Sequence, residues 1–105
     1  MNIQFKKGVI ELLVLAMLNK DDQYGYDISE VMSERIKISP GTVYPILRKL
    51  KTDNLVTTYL SETSGGPARK YYKLTKHGKT QYEKLKNEWF EFIKTTHYFL
   101  EEYNE

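Results

Sequence analysis

Between Ser39 and Leu50 the chain reads Ser-Pro-Gly-Thr-Val-Tyr-Pro-Ile-Leu-Arg-Lys-Leu, a stretch whose side chains suit recognition rather than reaction. Val43, Ile46, Leu47 and Leu50 fall at i, i+3, i+4 and i+7, one apolar face of a helix. Ser39 suits the N-cap and Pro40 the first helical position, which needs no donated N–H. The face opposite the apolar stripe carries Gly41, Pro45, Arg48 and Thr52, with Thr42 and Lys49 on one flank and Tyr44 on the other. Small and hydroxylated residues at the start of a helix, with cations further along, suit insertion into a DNA groove. An ordinary surface helix with a solvated basic face would carry the same pattern. Pro45 is discordant, because a proline that deep removes a helical hydrogen bond. Either the helix starts late or it kinks.

Charge along the chain favours the polyanion. The formal net charge of the 105 residues is only +2. Residues 1–34 hold three Lys against six acids, −3; residues 35–79 hold ten Lys and Arg against two acids, +8; residues 80–105 hold three Lys against six acids, −3. A positive middle between two mildly acidic ends is the footprint expected of a nucleic-acid partner, against the bland alternative of solvated charges segregated by chance.

Catalytic chemistry finds no residues to carry it. His77 and His97 stand far apart, without acids or cysteines at ligand spacing, so no metal site and no cofactor are expected. Neither a nucleophile elbow nor a phosphate-cradling loop nor a dinucleotide fingerprint is present. The chain has no cysteine, which excludes disulfides and thiolate sites and fits a reducing cytoplasm. The longest apolar run, Val9 to Leu18, is broken by Glu11 and is too short to span a bilayer, and no cleavage pattern follows it. A soluble, cytoplasmic protein with no membrane partner is expected.

The elements that must position the recognition stretch are legible in order. A first helix from about Gln4 to Asn19 is apolar nearly all round and must be buried on more than one side. Lys20 to Gln23 reads as a polar turn. A second helix from about Tyr24 to Glu34 has the stripe Ile28, Val31, Met32, with Asp27 and Glu30 near its start, where negative charge is favoured. Ile36-Lys37-Ile38 alternates like a short extended link, and Asp53-Asn54 ends the third helix. Leu55 to Thr63 and Arg69 to Thr75 read as two strands joined by a turn at Ser64 to Ala68, a basic hairpin with cations flanking its tip. Helix, connector, helix and basic hairpin make the layout of a winged helix, though a purely structural ribbon would also fit. Thr75 can cap a last helix running towards Tyr103. There Tyr82, Leu85, Trp89, Phe92, Thr96, Phe99 and Tyr103 are spaced 3-4-3-4-3-4, an a/d seam widened by Ile93 and Leu100. Its own chain leaves nothing to cover such a seam, so a second copy is the expected partner. The alternative is a monomer with this helix folded back on the first. The expected class is mainly α with a small β-hairpin (α+β), with residues 1–75 as a DNA-binding domain and 76–105 as a dimerisation helix.

Three motifs now carry a resemblance: Tyr24-Gly25-Tyr26-Asp27-Ile28, Ser39 through Leu47, and Gly65 through Thr75. In that order they resemble the PadR-like transcriptional regulators, winged-helix repressors mostly of bacteria, over nearly the whole chain. The chain lacks the longer C-terminal region of larger members. The resemblance implies a homodimer built by the last helix and the first, a third helix in the major groove of double-stranded DNA, and a wing along the backbone. It implies phosphate or base contacts by Tyr26, Thr42 and Tyr44, joined in the expected interface by Ser39, Gly41, Pro45, Arg48 and Lys49. Gly66, Arg69 and Lys70 would belong to the wing, and Pro45 fits the family pattern. Some members hold a flat aromatic effector near a tryptophan of the last helix, a position matched by Trp89, with Phe92 and Phe5 as candidate neighbours. An aromatic seam would leave gaps for such a guest, or its rings simply fill the interface. The functional expectation is a repressor on a pseudo-palindromic operator. The alternatives are a winged helix used for protein contacts, and a small-molecule-binding dimer without an operator.

Overall fold

A computed structural model describes residues 3–63 and 65–104, with side chains described from Gly8 onward. Seven elements follow one another: α1 (Ile3–Lys20), β1 (Gln23–Tyr24), α2 (Gly25–Ile36), α3 (Pro40–Thr52), β2 (Val56–Thr63), β3 (Gly66–Leu74) and α4 (Lys76–Glu102). The strands form one antiparallel sheet in the order β1-β3-β2. This is the α+β winged helix that the sequence implied, with a long terminal helix.

A single core holds the helices to the sheet. It takes Ile10, Val14, Leu15 and Leu18 from α1, Ile28 and Met32 from α2, and Val43, Ile46, Leu47 and Leu50 from α3, closed by Ile38, Leu55, Val56 and Tyr72. α1 is buried on several sides, as its composition requires: Leu13 and Met17 also lie against the core. Val31 departs from the expected stripe of α2 and is 38% exposed; buried Ser29 takes the inner position instead.

Three local expectations need correction. The stretch from Lys20 to Gln23 is not only a turn: Gln23 and Tyr24 pair with Tyr72 and Tyr71, adding a third strand, and α2 begins at Gly25. Two residues carry no periodicity, so nothing in the sequence marked them. Ile36-Lys37-Ile38 is not an extended link. α2 runs through Ile36, Lys37 turns left-handed (φ 57°, ψ 44°) with its N–H on the Ser33 carbonyl, and Ile38 drops into the core. The hairpin turn is also tighter than expected, because Gly66, Pro67 and Ala68 already belong to β3; Ser64 lies outside the described residues.

α3 starts at Pro40 and continues through Pro45 as one helix, which removes the late-start alternative. Ser39 occupies the N-cap position in extended backbone, but its Oγ sits 3.5 Å from Thr42 Oγ1 and makes no cap bond. Asn54 ends α3 with φ 60°, and the Leu55 N–H returns to the Leu50 carbonyl at 2.9 Å. α4 is tied to that corner. Thr75 Oγ1 accepts from the Gly78 N–H at 2.8 Å and donates to the Asn54 carbonyl at 2.8 Å. Gly78 is required here, since a Cβ at that position would collide with the Leu55 carbonyl. The cap therefore fixes where the long helix leaves the domain.

Candidate nucleic-acid interface

α3 divides as its spacing demands. Val43, Ile46, Leu47 and Leu50 are buried, Ser39, Gly41, Pro45, Arg48 and Lys49 are exposed, and Thr42 and Tyr44 are half-buried. The exposed cations are not equivalent. Lys49 Nζ lies 3.2 Å from both Glu11 and Asp53, and these carboxylates, Asp53 first, hold its pKa above the ordinary value. Arg48 makes no ion pair among the described residues, and its charge is felt at Tyr72, where it partly opposes the rise that burial imposes on the phenol.

Arg69 and Lys70 are not at the wing tip but inside β3, opposite Ser61 and Leu60. Successive strand residues face opposite ways. The Arg69 guanidinium therefore lies over the Tyr24 ring at 4.9 Å, while Lys70 Nζ lies 5.7 Å from the Tyr72 ring on the other face. Gly66 is exposed beside the tip, where Thr63 Oγ1 donates to the Pro67 carbonyl at 3.2 Å.

A row of tyrosines occupies the sheet face away from Tyr72. Tyr59 and Tyr71 stack at 5.7 Å, Tyr71 and Tyr24 lie 6.0 Å apart, and Tyr24 and Tyr26 are again 6.0 Å apart. The Tyr59 hydroxyl donates to Asp22 at 2.7 Å, which raises its pKa. Tyr26 is exposed at the start of α2, and the Glu30 carboxylate one turn on raises its phenol. On the opposite side of the sheet, Gly25 lets the Tyr72 ring come close to α2: a Cβ there would lie within 2.9 Å of it. Burial raises the Tyr44 phenol, and its neighbours Tyr24 and Tyr72 add to the rise once they ionise. Tyr24, Tyr59 and Tyr71 were not among the site residues picked from sequence. The alternation Thr57-Tyr59-Ser61 against Arg69-Tyr71-Lys73 is the signal that would have found two of them.

The α4 seam splits in two. Tyr82 and Leu85 lie against the chain's own core, so part of the stripe is covered from within, contrary to expectation. Trp89, Ile93 and Thr96 are half-buried. Phe92, Phe99, Leu100 and Tyr103 are 60%, 55%, 66% and 70% exposed, and Phe90 and Tyr98, outside the seam, are open as well. The Phe5 side chain lies outside the described residues. A cavity of about 390 Å³ between the end of α1 and the start of α4 is lined by residues that do not include Trp89. Among the described residues no cluster of His, Asp and Glu could hold a metal ion, and no helix is long and apolar enough to cross a membrane.

Comparison with known proteins agrees with this geometry. Residues 14–84 match the model of the transcriptional regulator PadR-like family. A PadR-like transcriptional regulator of Bacillus cereus superposes with a TM-score of 0.84 at 32% identity, over 92% of this chain and 96% of that one. A PadR family regulator of Clostridium difficile gives 0.79 at 39% identity, over 87% and 97%. The Escherichia coli transcriptional regulator YqjI is 32% identical over 78 residues, 70% of this chain but 36% of its own length. The chain belongs to the PadR-like family of transcriptional regulators, and is not an enzyme.

Proposed function

We propose that this PadR-family chain is a cytoplasmic, homodimeric repressor that binds a pseudo-palindromic operator in double-stranded DNA. Residues 1–75 read and grip the duplex, and residues 76–105 hold the two copies together with help from α1. α3 enters the major groove with Thr42 and Pro45 leading, and Gly41 lets the backbone approach. Arg48, Lys70 and Arg69 take phosphates, with Tyr26 at the flank. Lys49, tied to Glu11 and Asp53, contributes less than its place on the helix suggests. The observation that carries the reading is the helix face that α3 presents. Gly41, Pro45 and Arg48 are exposed on it, Arg48 makes no ion pair among the described residues, and Arg69 and Lys70 follow on the two faces of β3. The exposed aromatic end of α4 supports the dimer.

Footprinting on the chain's own promoter region tests the proposal. Protection should cover two half-sites about one helical turn, roughly 34 Å, or a multiple of it apart. Affinity should fall steeply with salt, because neutralised phosphates release counterions. Arg69→Ala and Lys70→Ala should weaken all sequences alike and lower the salt slope by about 1 each, whereas substitutions at Thr42 or Pro45 should change preference among sequences. Binding that is absent, or indifferent to salt, would reject the operator reading in favour of a protein-contact module.

A further inference from the structure

Tyr24 stands where β1 ends and α2 begins, and its ring is not used for capping: as the N-cap residue it makes no side-chain cap bond. The ring instead lies 6.0 Å from both Tyr26 and Tyr71 and carries the Arg69 guanidinium at 4.9 Å. The backbone register explains the meeting. Tyr24 pairs with Tyr71, and Arg69, two residues before Tyr71, shares its face of β3. Arg69 forms no ion pair among the described residues, and a guanidinium resting on an aromatic face keeps the N–H groups of its rim available for a second partner. The exposed Tyr26 hydroxyl stands one ring further along the same row.

We infer that Tyr24 is a positioning residue that holds Arg69 beside Tyr26, so that wing and α2 grip one backbone phosphate together. The phosphodiester lies between the Arg69 guanidinium rim and the Tyr26 hydroxyl, which turns from Glu30 to donate to it. Tyr24 itself touches no DNA. Its ring removes the freedom of a long side chain on the hairpin, and so lowers the entropy lost when the phosphate is bound. Sequence spacing cannot supply this link, because residues 24 and 69 meet only through the pairing of a two-residue strand. The inference rests on the operator-binding reading above.

Affinity for the protected duplex, measured across a salt series, tests it. Tyr24→Phe keeps the π-face and should bind within about twofold of wild type. Tyr24→Leu and Arg69→Ala should each lose about three- to thirtyfold, the range expected when a cation–π contact is removed, and both should give a shallower salt slope. The double variant should bind like Arg69→Ala alone, because the ring has no role without its cation. Tyr24→Trp covers the case in which Leu disturbs folding. It keeps a π-face for Arg69 and should bind within about twofold of wild type with the wild-type salt slope. An unchanged salt slope in Tyr24→Leu, additive losses in the double variant, or a loss in Tyr24→Trp as large as in Tyr24→Leu would overturn the role. Wild type that binds no duplex would instead remove the operator reading, and this one with it.

Discussion

Tyr82 and Leu85 occupy the same repeating positions of α4 as Phe92, Phe99 and Tyr103, yet the first pair packs on the core and the others face solvent. One helix, one spacing and one kind of side chain have two fates. The difference is set by the exit of α4. Thr75 and Gly78 pin its start to the Asn54–Leu55 corner, and the globular part ends after the third turn. Beyond that point the helix projects, in a molecule 61 Å long and 28 Å wide. An a/d pattern states that a stripe will be covered, but not by what.

Equal substitutions in the two regions should therefore have unequal effects. Leu47→Ala opens a cavity in the core and should cost about 2–5 kcal/mol, read as a shift of the urea midpoint. Leu100→Ala removes the same atoms from a side chain that is 66% exposed in its own chain. At dilutions where the protein is monomeric it should cost less than about 0.5 kcal/mol. At concentrations where the dimer forms, its cost should grow with concentration, because stability then includes association. A concentration-independent loss would mean that the end of α4 folds back on its own chain.

The dimer itself is the next lever. Phe99→Glu places a carboxylate in the proposed seam and should raise the dimer dissociation constant about thirtyfold or more, the range of an interface anchor. Light scattering at micromolar concentration should give wild type the mass of two chains and the variant that of one. Melting of the variant that matches wild type diluted to monomer would confine the damage to association. A single-chain mass for wild type would leave the aromatic end without a covering copy.

The unequal fates also mark what the sequence could reveal. Helix positions follow from a period of 3.6 residues that each helix repeats several times, so α1 through α4 were legible within a few residues. β1 was not, because two residues repeat nothing. The pairing of Lys49 with Glu11 and Asp53 was legible only in its i,i+4 half, since Glu11 arrives through the crossing of α1 and α3. Arg69 and Lys70 could be recognised as cations of a ribbon, but their placement on Tyr24 and Tyr72 depends on strand register. The apolar stripes of α1 and α3 follow from their own period, Val31 of α2 departs from its stripe, and side chains placed by a partner element are not legible in spacing.

Alkaline titration should separate the two regions by a smaller effect. Burial raises the phenols of Tyr72 and Tyr44, so the fold favours their neutral form. A group whose folded pKa lies above its unfolded value contributes fully below the unfolded value, about 10 for tyrosine, and loses that contribution as pH rises through the folded value. Lys49, raised by Asp53 and Glu11, acts in the same direction. The urea midpoint should hold from pH 7 to 9 and fall above about pH 10. Tyr72→Phe should make that fall shallower, leaving the part due to Tyr44, Tyr59, Tyr26 and Lys49. An equally steep fall in the variant would mean that alkaline loss arises elsewhere.

The smallest expected effect concerns Trp89, which sits at the boundary between the covered and open parts of α4. It is half-buried, with Leu85 one turn before it on the core side and Phe92 exposed one turn after it. If two copies meet along this seam, large rings at knob positions either fill the interface or leave a gap between the helices that a planar molecule could occupy. Ring centroids would then be about 4.5–7 Å apart. A guest of this kind acts only through a difference in affinity between two arrangements of the dimer. It would favour one angle between the α4 helices, and so one separation of the two α3 helices, over the spacing that the operator demands. As the chain's one tryptophan, Trp89 reports this place alone by fluorescence. Titration with planar aromatic cations and phenolic acids should quench it and weaken operator binding with the same midpoint. A coupling of about 1–3 kcal/mol would give roughly 5- to 150-fold in DNA affinity. Phe99→Glu, which removes the partner copy, should abolish both signals together. Quenching that survives in the monomeric variant would place the guest on a single chain, where it has no second α3 to displace.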